Sequence, residues 1–467
     1  MREVLLNRVF RVPIKLTPAS RILVLSIALT MHARRSDAQT MLPIAAEGLT
    51  LREVFDSVRS NSPMLGAAKA RVRSAHGGLS SARAWSNPVV NFESQQMTEQ
   101  GHGITSQRET MTTAMLPLEP FYQRGPRIER AQALIRASEA DVLAQRQLLA
   151  VDAADAFYQA ALAQVNVAAT RSLAQWFDTV VTYNSVRVRE GAAAEADLIR
   201  SELERDHVLN ELAIAESELA RAQADLQAFL SGSSSSIVIH VEVDSLPLDS
   251  AITAQANLWR LGIVPLDVNP GGGRAGTVKV VSRPEVKAAR ERLVASEAAT
   301  ASERRMLLRE LGAMVGTKNM AGSSSLIAGF TLPFPLLDQN RGSVATALAE
   351  RDAAQFEFEQ EKRNADAELF GAERAARILS QRVAAFGSGR VGYLTRAEDA
   401  RRIALGAYRE GGTSLLQVID AARAWREARS SYFETLFAQH RAVIRLLVAK
   451  GLDVLDAWPK VQAGASQ

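Results

Sequence analysis

Residues able to do chemistry are sparse in this chain, and their spacing argues against most of what they could do. Six histidines, His32, His76, His102, His207, His240 and His440, stand at no local ligand spacing such as i and i+4. There is no cysteine, which removes thiolate metal sites and disulfide frameworks alike. Gly271-Gly272-Gly273-Arg274-Ala275-Gly276 fits G-x-G-x-x-G on paper, but Thr277-Val278-Lys279-Val280-Val281 after it reads as a strand, where a dinucleotide site needs a helix. Met97, Met111, Met115, Met306, Met314 and Met320 gather near strand-like stretches; thioethers there either pack or meet soft metal ions, and packing is the commoner use. No nucleophile stands beside a base. The expectation is a protein that is not an enzyme, with no cofactor and no dedicated metal site.

One constellation of charge is repeated. Arg189, Glu190 and Gly191 return as Arg409, Glu410 and Gly411, with Arg187 just before the first copy, and each copy is set between two helix-forming runs. Cations and a glycine at this place cap a helix C-terminus, and they also make an exposed charged tip for a partner. The chain's formal +4 does not make it a nucleic-acid binder. Residues 1–38 hold seven cations against Glu3 and Asp37, so the rest carries −1 and no basic stripe remains.

The elements that must position these tips also occur twice. Residues 1–38, basic and then apolar through Ile22 to Leu29, read as a secretory signal, its cleavage point open between Ala33 and Ala38. The first repeat occupies 49–230. Thr50 and Glu53 open a helix as a capping box, Asn61-Ser62-Pro63 breaks it, and a second helix ends near Trp85-Ser86-Asn87-Pro88. Strands are expected near 88–97 and 109–118, joined by a polar loop around Glu99 to Gln107. From Arg127 to Arg189 there is neither proline nor glycine, which predicts one helix of roughly 95 Å; a return helix runs from Ala194 to Leu230.

Residues 231–283 read as a linker with some structure of its own, including an alternating strand at Ile237 to Val243. The second repeat, 284–450, has strands expected near 311–320 and 324–333. In Leu326, Ala328, Phe330 and Leu332 one face is wholly apolar. A second long helical run is interrupted by Gly387, Gly389 and Gly392, where a bend is expected, and residues 451–467 form a short tail. The fold class is mainly α with a small β part. Four strands cannot close a barrel, so if the apolar face meets lipid, several chains must supply the ring.

The order of Leu49-Thr50-Leu51-Arg52-Glu53-Val54, Asn61-Ser62-Pro63, Ala84-Trp85-Ser86-Asn87-Pro88, Leu332-Pro333-Phe334-Pro335-Leu336-Leu337, Arg341-Gly342 and the two glycine turns resembles the TolC-like outer-membrane efflux proteins over about Leu49 to Lys450. The Trp-Ser-Asn-Pro and Pro-Phe-Pro-Leu forms are most similar to outer-membrane components of heavy-metal efflux systems. The resemblance implies a homotrimer in the Gram-negative outer membrane, a twelve-strand barrel continued by a periplasmic helical tunnel. It implies as partners a periplasmic adaptor and an inner-membrane proton-driven pump. It also places the turns at the periplasmic tip, with Tyr408, Gln417, Asp420, Asp197 and Thr413 at gate positions and Arg187, Arg189, Glu190, Gly191, Arg409, Glu410 and Gly411 at the adaptor-docking surface. Thr413 stands where the family keeps a basic residue opposite Asp197, so that closing ion pair cannot form. The same duct serving drug efflux or type I secretion, and a periplasmic coiled-coil adaptor or scaffold without a barrel, stay open as alternatives.

Overall fold

The computed structural model describes residues 49–101, 103–230, 283–306, 311–320, 322–332, 338–387 and 392–456. The signal-like segment, the strand expected at 237–243, the glycine motif at 271–276 and the tail beyond 456 lie outside the described residues.

Thr50 caps α1 (Leu51–Asn61) through the expected box: its hydroxyl accepts from Glu53 N at 3.3 Å, and Glu53 accepts from Thr50 N at 2.8 Å. Ser62 then caps α2 (Pro63–Arg83), whose first residue is a proline, the helix position where a missing N–H costs nothing. After β1 (Val89–Gly101) and β2 (Gly103–Pro117) comes α3 (Pro120–Arg189), 70 residues and about 105 Å without interruption.

The long helix starts earlier than proline-free counting suggests, because Pro126 lies inside it. A proline cannot bond the carbonyl four residues back, which here is that of Tyr122. Arg305 supplies the missing donor, Nη1 to Tyr122 O at 2.9 Å. The return helix α4 (Glu195–Gln227) completes the first repeat.

The second repeat runs α5 (Pro284–Arg305), β3 (Gly312–Met320), β4 (Ser323–Thr331), α6 (Arg341–Ala385), α7 (Tyr393–Arg409) and α8 (Leu415–Ala449). Where the first repeat has one helix, the second has two, parted at the glycines, with Gly387 at φ +68°. The gap is filled from within: Phe386 is buried and stacks at 5.1 Å on both Tyr393 and Tyr432. Helix α3 packs on α2, α4, α5 and α8, so it is the spine on which both repeats lean.

The strands form one antiparallel sheet in the order β1-β2-β3-β4, leaving β1 and β4 as edges. The first hairpin is longer than its hydrophobic pattern announces. Pairing extends to Gly101↔Gly103, through the stretch expected to be a loop, because a ladder of backbone bonds holds polar residues as well as apolar ones.

Cross-strand register sorts the side chains into two faces. One carries Val90, Phe92, Ala114, Leu116, Val315, Leu326, Ala328 and Phe330, with Thr110, Thr112 and Thr317 toward its far end; the other carries Asn91, Glu93, Gln95, Glu109, Thr113 and Lys318 together with Val89, Ile327 and the methionines Met111, Met115 and Met314. The apolar face is open along the strands, while the other face is covered only at its centre. On the apolar face Phe92 is 71% and Phe330 81% exposed, while Thr113 on the other face is 3% exposed. Gly316 allows β2 and β3 to meet, since a Cβ there would lie 2.3 Å from the Thr112 carbonyl oxygen.

Beyond the sheet, the larger core cluster joins α1, α3 and α8 around Phe55, Phe157, Tyr158 and Phe437. His440 sits beside it, its ring 5.5 Å from Tyr158 and its Nδ1 buried without a hydrogen-bond partner. Burial pushes its pKa down to about 4 from an ordinary 6.5. Between those values the unfolded chain holds a proton that the folded chain does not, so the His440 contribution is whole above pH 6.5 and is lost as pH falls through 4. On the order of 3 kcal/mol per chain is at stake. His440→Phe is therefore expected to flatten the fall in melting temperature between pH 6.5 and 4; wild-type and variant profiles that stay parallel would refute it.

Candidate functional site

Helices α3 and α7 end in the same motif. Glu190 caps the first helix after Arg189, Gly191 takes φ +70°, Gly191 N donates to Val188 O at 3.0 Å, and Ala192 N donates to Arg187 O at 2.7 Å. In the second turn Gly411 takes φ +77°, Gly411 N donates to Tyr408 O at 3.0 Å, and Gly412 N to Ala407 O at 2.8 Å. This pair of bonds is the glycine-dependent ending that reverses the chain in the least space. Arg187 adds a lock of its own, with Nη2 donating to Ala192 O at 3.0 Å and its guanidinium 5.5 Å from the Tyr183 ring.

The two turns are fastened to each other by tyrosines. Tyr408, buried between the repeats, donates its hydroxyl to Asn184 Oδ1 at 2.7 Å. Tyr183 donates to the carbonyl of Arg409 at 3.2 Å, and the two rings meet edge to face at 5.9 Å. Burial pushes the Tyr408 phenol above its ordinary range, the Asn184 hydrogen bond pulls the other way and Asp197 adds to the rise, so the group stays a neutral donor. Below this bridge lies the second core cluster, with Phe177, Val180, Val208, Val418, Ile419 and Trp425. The guanidinium of Arg401 caps the Trp425 ring at 4.3 Å.

The gate candidates divide between inside and outside. Tyr408 is inside, Asp197 is half-buried in the first turn of α4, and Thr413 is half-buried with its hydroxyl bonded to Gln417 Oε1. Gln417 and Asp420 are both exposed, three residues apart on α8, on the side turned away from buried Val418, Ile419 and Ala422. Among the docking candidates Arg189, Glu190, Gly191, Arg409, Glu410 and Gly411 are exposed, and Arg187 is half-buried. They form one continuous end of the bundle because the tyrosine bridge holds the turns side by side.

Asn184 and Tyr183 fasten the two turns together, and motif reading passes over both. A signal was present: Asn184 falls on the buried row of Phe177, Val180 and Val181, an amide where the period calls for an aliphatic. Also unmarked was the seam between repeats, where Arg423 Nε meets Glu204 at 2.8 Å and Arg426 pairs with Glu211, joining α8 to α4 across a groove over α3. Glu204 and Glu211 lie seven residues apart, the repeat of one helix face.

Residues 54–232 match the family model described as outer membrane efflux protein. Over 423 residues the chain is 24% identical to the cobalt-zinc-cadmium resistance protein CzcC of Cupriavidus metallidurans, covering 88% of this chain and 93% of that protein. It is likewise 24% identical to the pyoverdine export outer membrane protein OpmQ of Pseudomonas putida, covering 86% and 85%. The fold is that of the Campylobacter jejuni CmeC outer membrane channel, with a TM-score of 0.68, 14% identity and 89% of each chain aligned.

Proposed function

Starting from a chain that is a TolC-family outer-membrane efflux protein, we propose that three copies close their four-stranded sheets into one barrel and act as the passive exit duct of a tripartite efflux system exporting heavy-metal cations. The observation that carries the reading is the inverted sheet. One face exposes Phe92, Leu326 and Phe330, the other carries the polar residues and covers Thr113 at its centre, and among the described residues each edge strand has one side unpaired. In hydrocarbon every backbone N–H and C=O must be paired, so a sheet facing lipid has to close on further copies. A periplasmic scaffold without a barrel would not need such a sheet.

In this arrangement the helical bundle continues the barrel into the periplasm, the glycine turns face an adaptor, and a proton-driven inner-membrane pump supplies the energy. The likeness to CzcC supports a metal cargo, and the likeness to OpmQ supports a second reading in which the same duct serves another exported compound. A metal-sensitivity panel on a deletion strain separates them: restored cobalt, zinc or cadmium tolerance on complementation supports the first, and unchanged tolerance overturns it.

Three copies of exposed Asp420 would ring the periplasmic mouth with negative charge, a site that concentrates cations. Asp420→Ala is expected to lower cation-over-anion selectivity and to relieve divalent-ion block in planar bilayers. Unchanged selectivity and block would remove Asp420 from the mouth.

A further inference from the structure

We propose that Arg83, Trp85, Phe121 and Arg124 form a docking site for an anionic phospholipid, the two arginines holding its headgroup phosphate and the two rings carrying its glycerol and upper acyl carbons. The inference rests on the reading that the apolar face of the sheet meets lipid. It starts from where strand gives way to helix. All four passages, α2 to β1, β2 to α3, α5 to β3 and β4 to α6, lie at one end of the sheet, since Val89 stands opposite Met115, Pro117 opposite Gly312 and Gly312 opposite Thr331. With hydrocarbon around the sheet, the headgroups of one leaflet surround this end.

Trp85 and Phe121 stand there, one just before β1 and the other just after β2. Each is more than half exposed, and their rings meet edge to face at 5.2 Å. An indole combines an apolar ring with an N–H donor, which suits it to the boundary between hydrocarbon and water. Val90 and Leu116, exposed on the apolar face of the same two strands, begin that face a few residues further on.

Arginine adds charge to the aromatic pair. The Arg124 guanidinium lies 5.9 Å from the centre of the Trp85 ring, and its Nε donates to the carbonyl of Arg83 at 3.0 Å. That carbonyl belongs to the last turn of α2, where oxygens lack intrahelical donors, so the helix end presents guanidinium N–H groups in place of bare oxygen. Among the described residues no carboxylate pairs with Arg124 or with exposed Arg83. Glu119, at the start of α3, is already paired with Arg127 at 3.3 Å.

The excess of cations extends around this level. Residues 79–88, 118–127, 302–311 and 332–341, which flank the four strand ends, hold seven arginines against four carboxylates, in a chain whose residues 39–467 carry −1. Arginines beside a hydrocarbon boundary attract anionic headgroups, and a guanidinium offers paired donors to phosphate oxygens. The rings take up the apolar part that free phosphate lacks.

The test uses purified full-length protein in detergent, delipidated and titrated with phosphatidylglycerol, with phosphatidylcholine and inorganic phosphate as controls. Lipid bound per chain is measured after gel filtration, and the heat-modifiable oligomer band reports assembly. Arg83→Gln/Arg124→Gln is expected to bind phosphatidylglycerol on the order of tenfold or more weakly than wild type, phosphatidylcholine is expected to bind weakly to both, and millimolar phosphate is expected not to displace the lipid. If the double variant fails to assemble, Arg83→Gln takes its place. In vesicles of brominated phosphatidylglycerol, Trp85→Phe is expected to remove most of the quenching of tryptophan fluorescence, because Trp176 and Trp425 lie in the cluster at the tip. Equal lipid binding by wild type and arginine variant overturns the proposal. Displacement by phosphate overturns it in favour of a simple anion site, and quenching unchanged in Trp85→Phe overturns it in favour of a second copy covering the rings. Each of these leaves the barrel standing. A wild type with no heat-modifiable oligomer overturns the barrel and, with it, the lipid face that this site borders.

Discussion

Phe330→Arg is expected to lower the assembled, heat-modifiable oligomer in the outer-membrane fraction well below the wild-type level. Phe330 is 81% exposed in β4, on the same face as Leu116 and Ala313 beside it in the register. In water this exposure would be a liability; against lipid it is the stabilising contact. An arginine on the lipid face of a barrel costs about 2–4 kcal/mol at mid-depth and about 0–1 kcal/mol near the interfaces; Phe330 is next to last in β4 and so lies toward an interface, but three symmetric copies multiply the cost. Thr331→Arg, one residue on and therefore on the opposite face beside Gly312, is expected to assemble normally because a guanidinium there faces water. Gel migration of outer-membrane fractions with and without heating checks the pair. Assembly of Phe330→Arg at the wild-type level, with Thr331→Arg failing, would mean that the lipid face has been assigned backwards.

Much of this architecture was legible because its signals are local. Thr50 with Glu53, Ser62 with Pro63, and the glycines at 191 and 411 each act through backbone groups within five residues, so their types alone announce them. The separation of α6 from α7 was readable for the same reason at Gly387. What could not be read depends on partners far along the chain. The outer half of the first hairpin has no apolar period and is held by its ladder. The carbonyl that Pro126 leaves unbonded in α3 is met by Arg305 from the other repeat.

The tip shows both cases together. Its charges and glycines were visible, while the bond from Tyr408 to Asn184 spans 224 residues and joins the two repeats, a pairing no local pattern announces. The sheet's methionines were visible as a cluster, but their common face required the register.

That strut makes the turns a single rigid surface, and the strongest functional prediction concerns what binds it. Gly191→Trp with Gly411→Trp is expected to abolish crosslinking to the adaptor and to bring metal tolerance to the level of the deletion strain. A Cβ at either glycine would meet no atom within 4 Å, so the first atom of a larger side chain enters open space. Both also have positive φ, +70° and +77°, which a non-glycine residue adopts at a cost of roughly 1–2 kcal/mol each. Strain and obstruction must therefore be told apart. Gly191→Asn with Gly411→Asn carries the same backbone demand with little bulk, in the residue that enters the left-handed region most readily. The asparagine pair is expected to keep crosslinking and tolerance near wild type, since the helix endings at Arg187 and Ala407 depend on the backbone conformation and not on the side chain. Loss in the tryptophan pair alone places the adaptor on these turns. Equal loss in both pairs makes the turns a folding requirement only, and retention in both moves docking to another surface of the bundle.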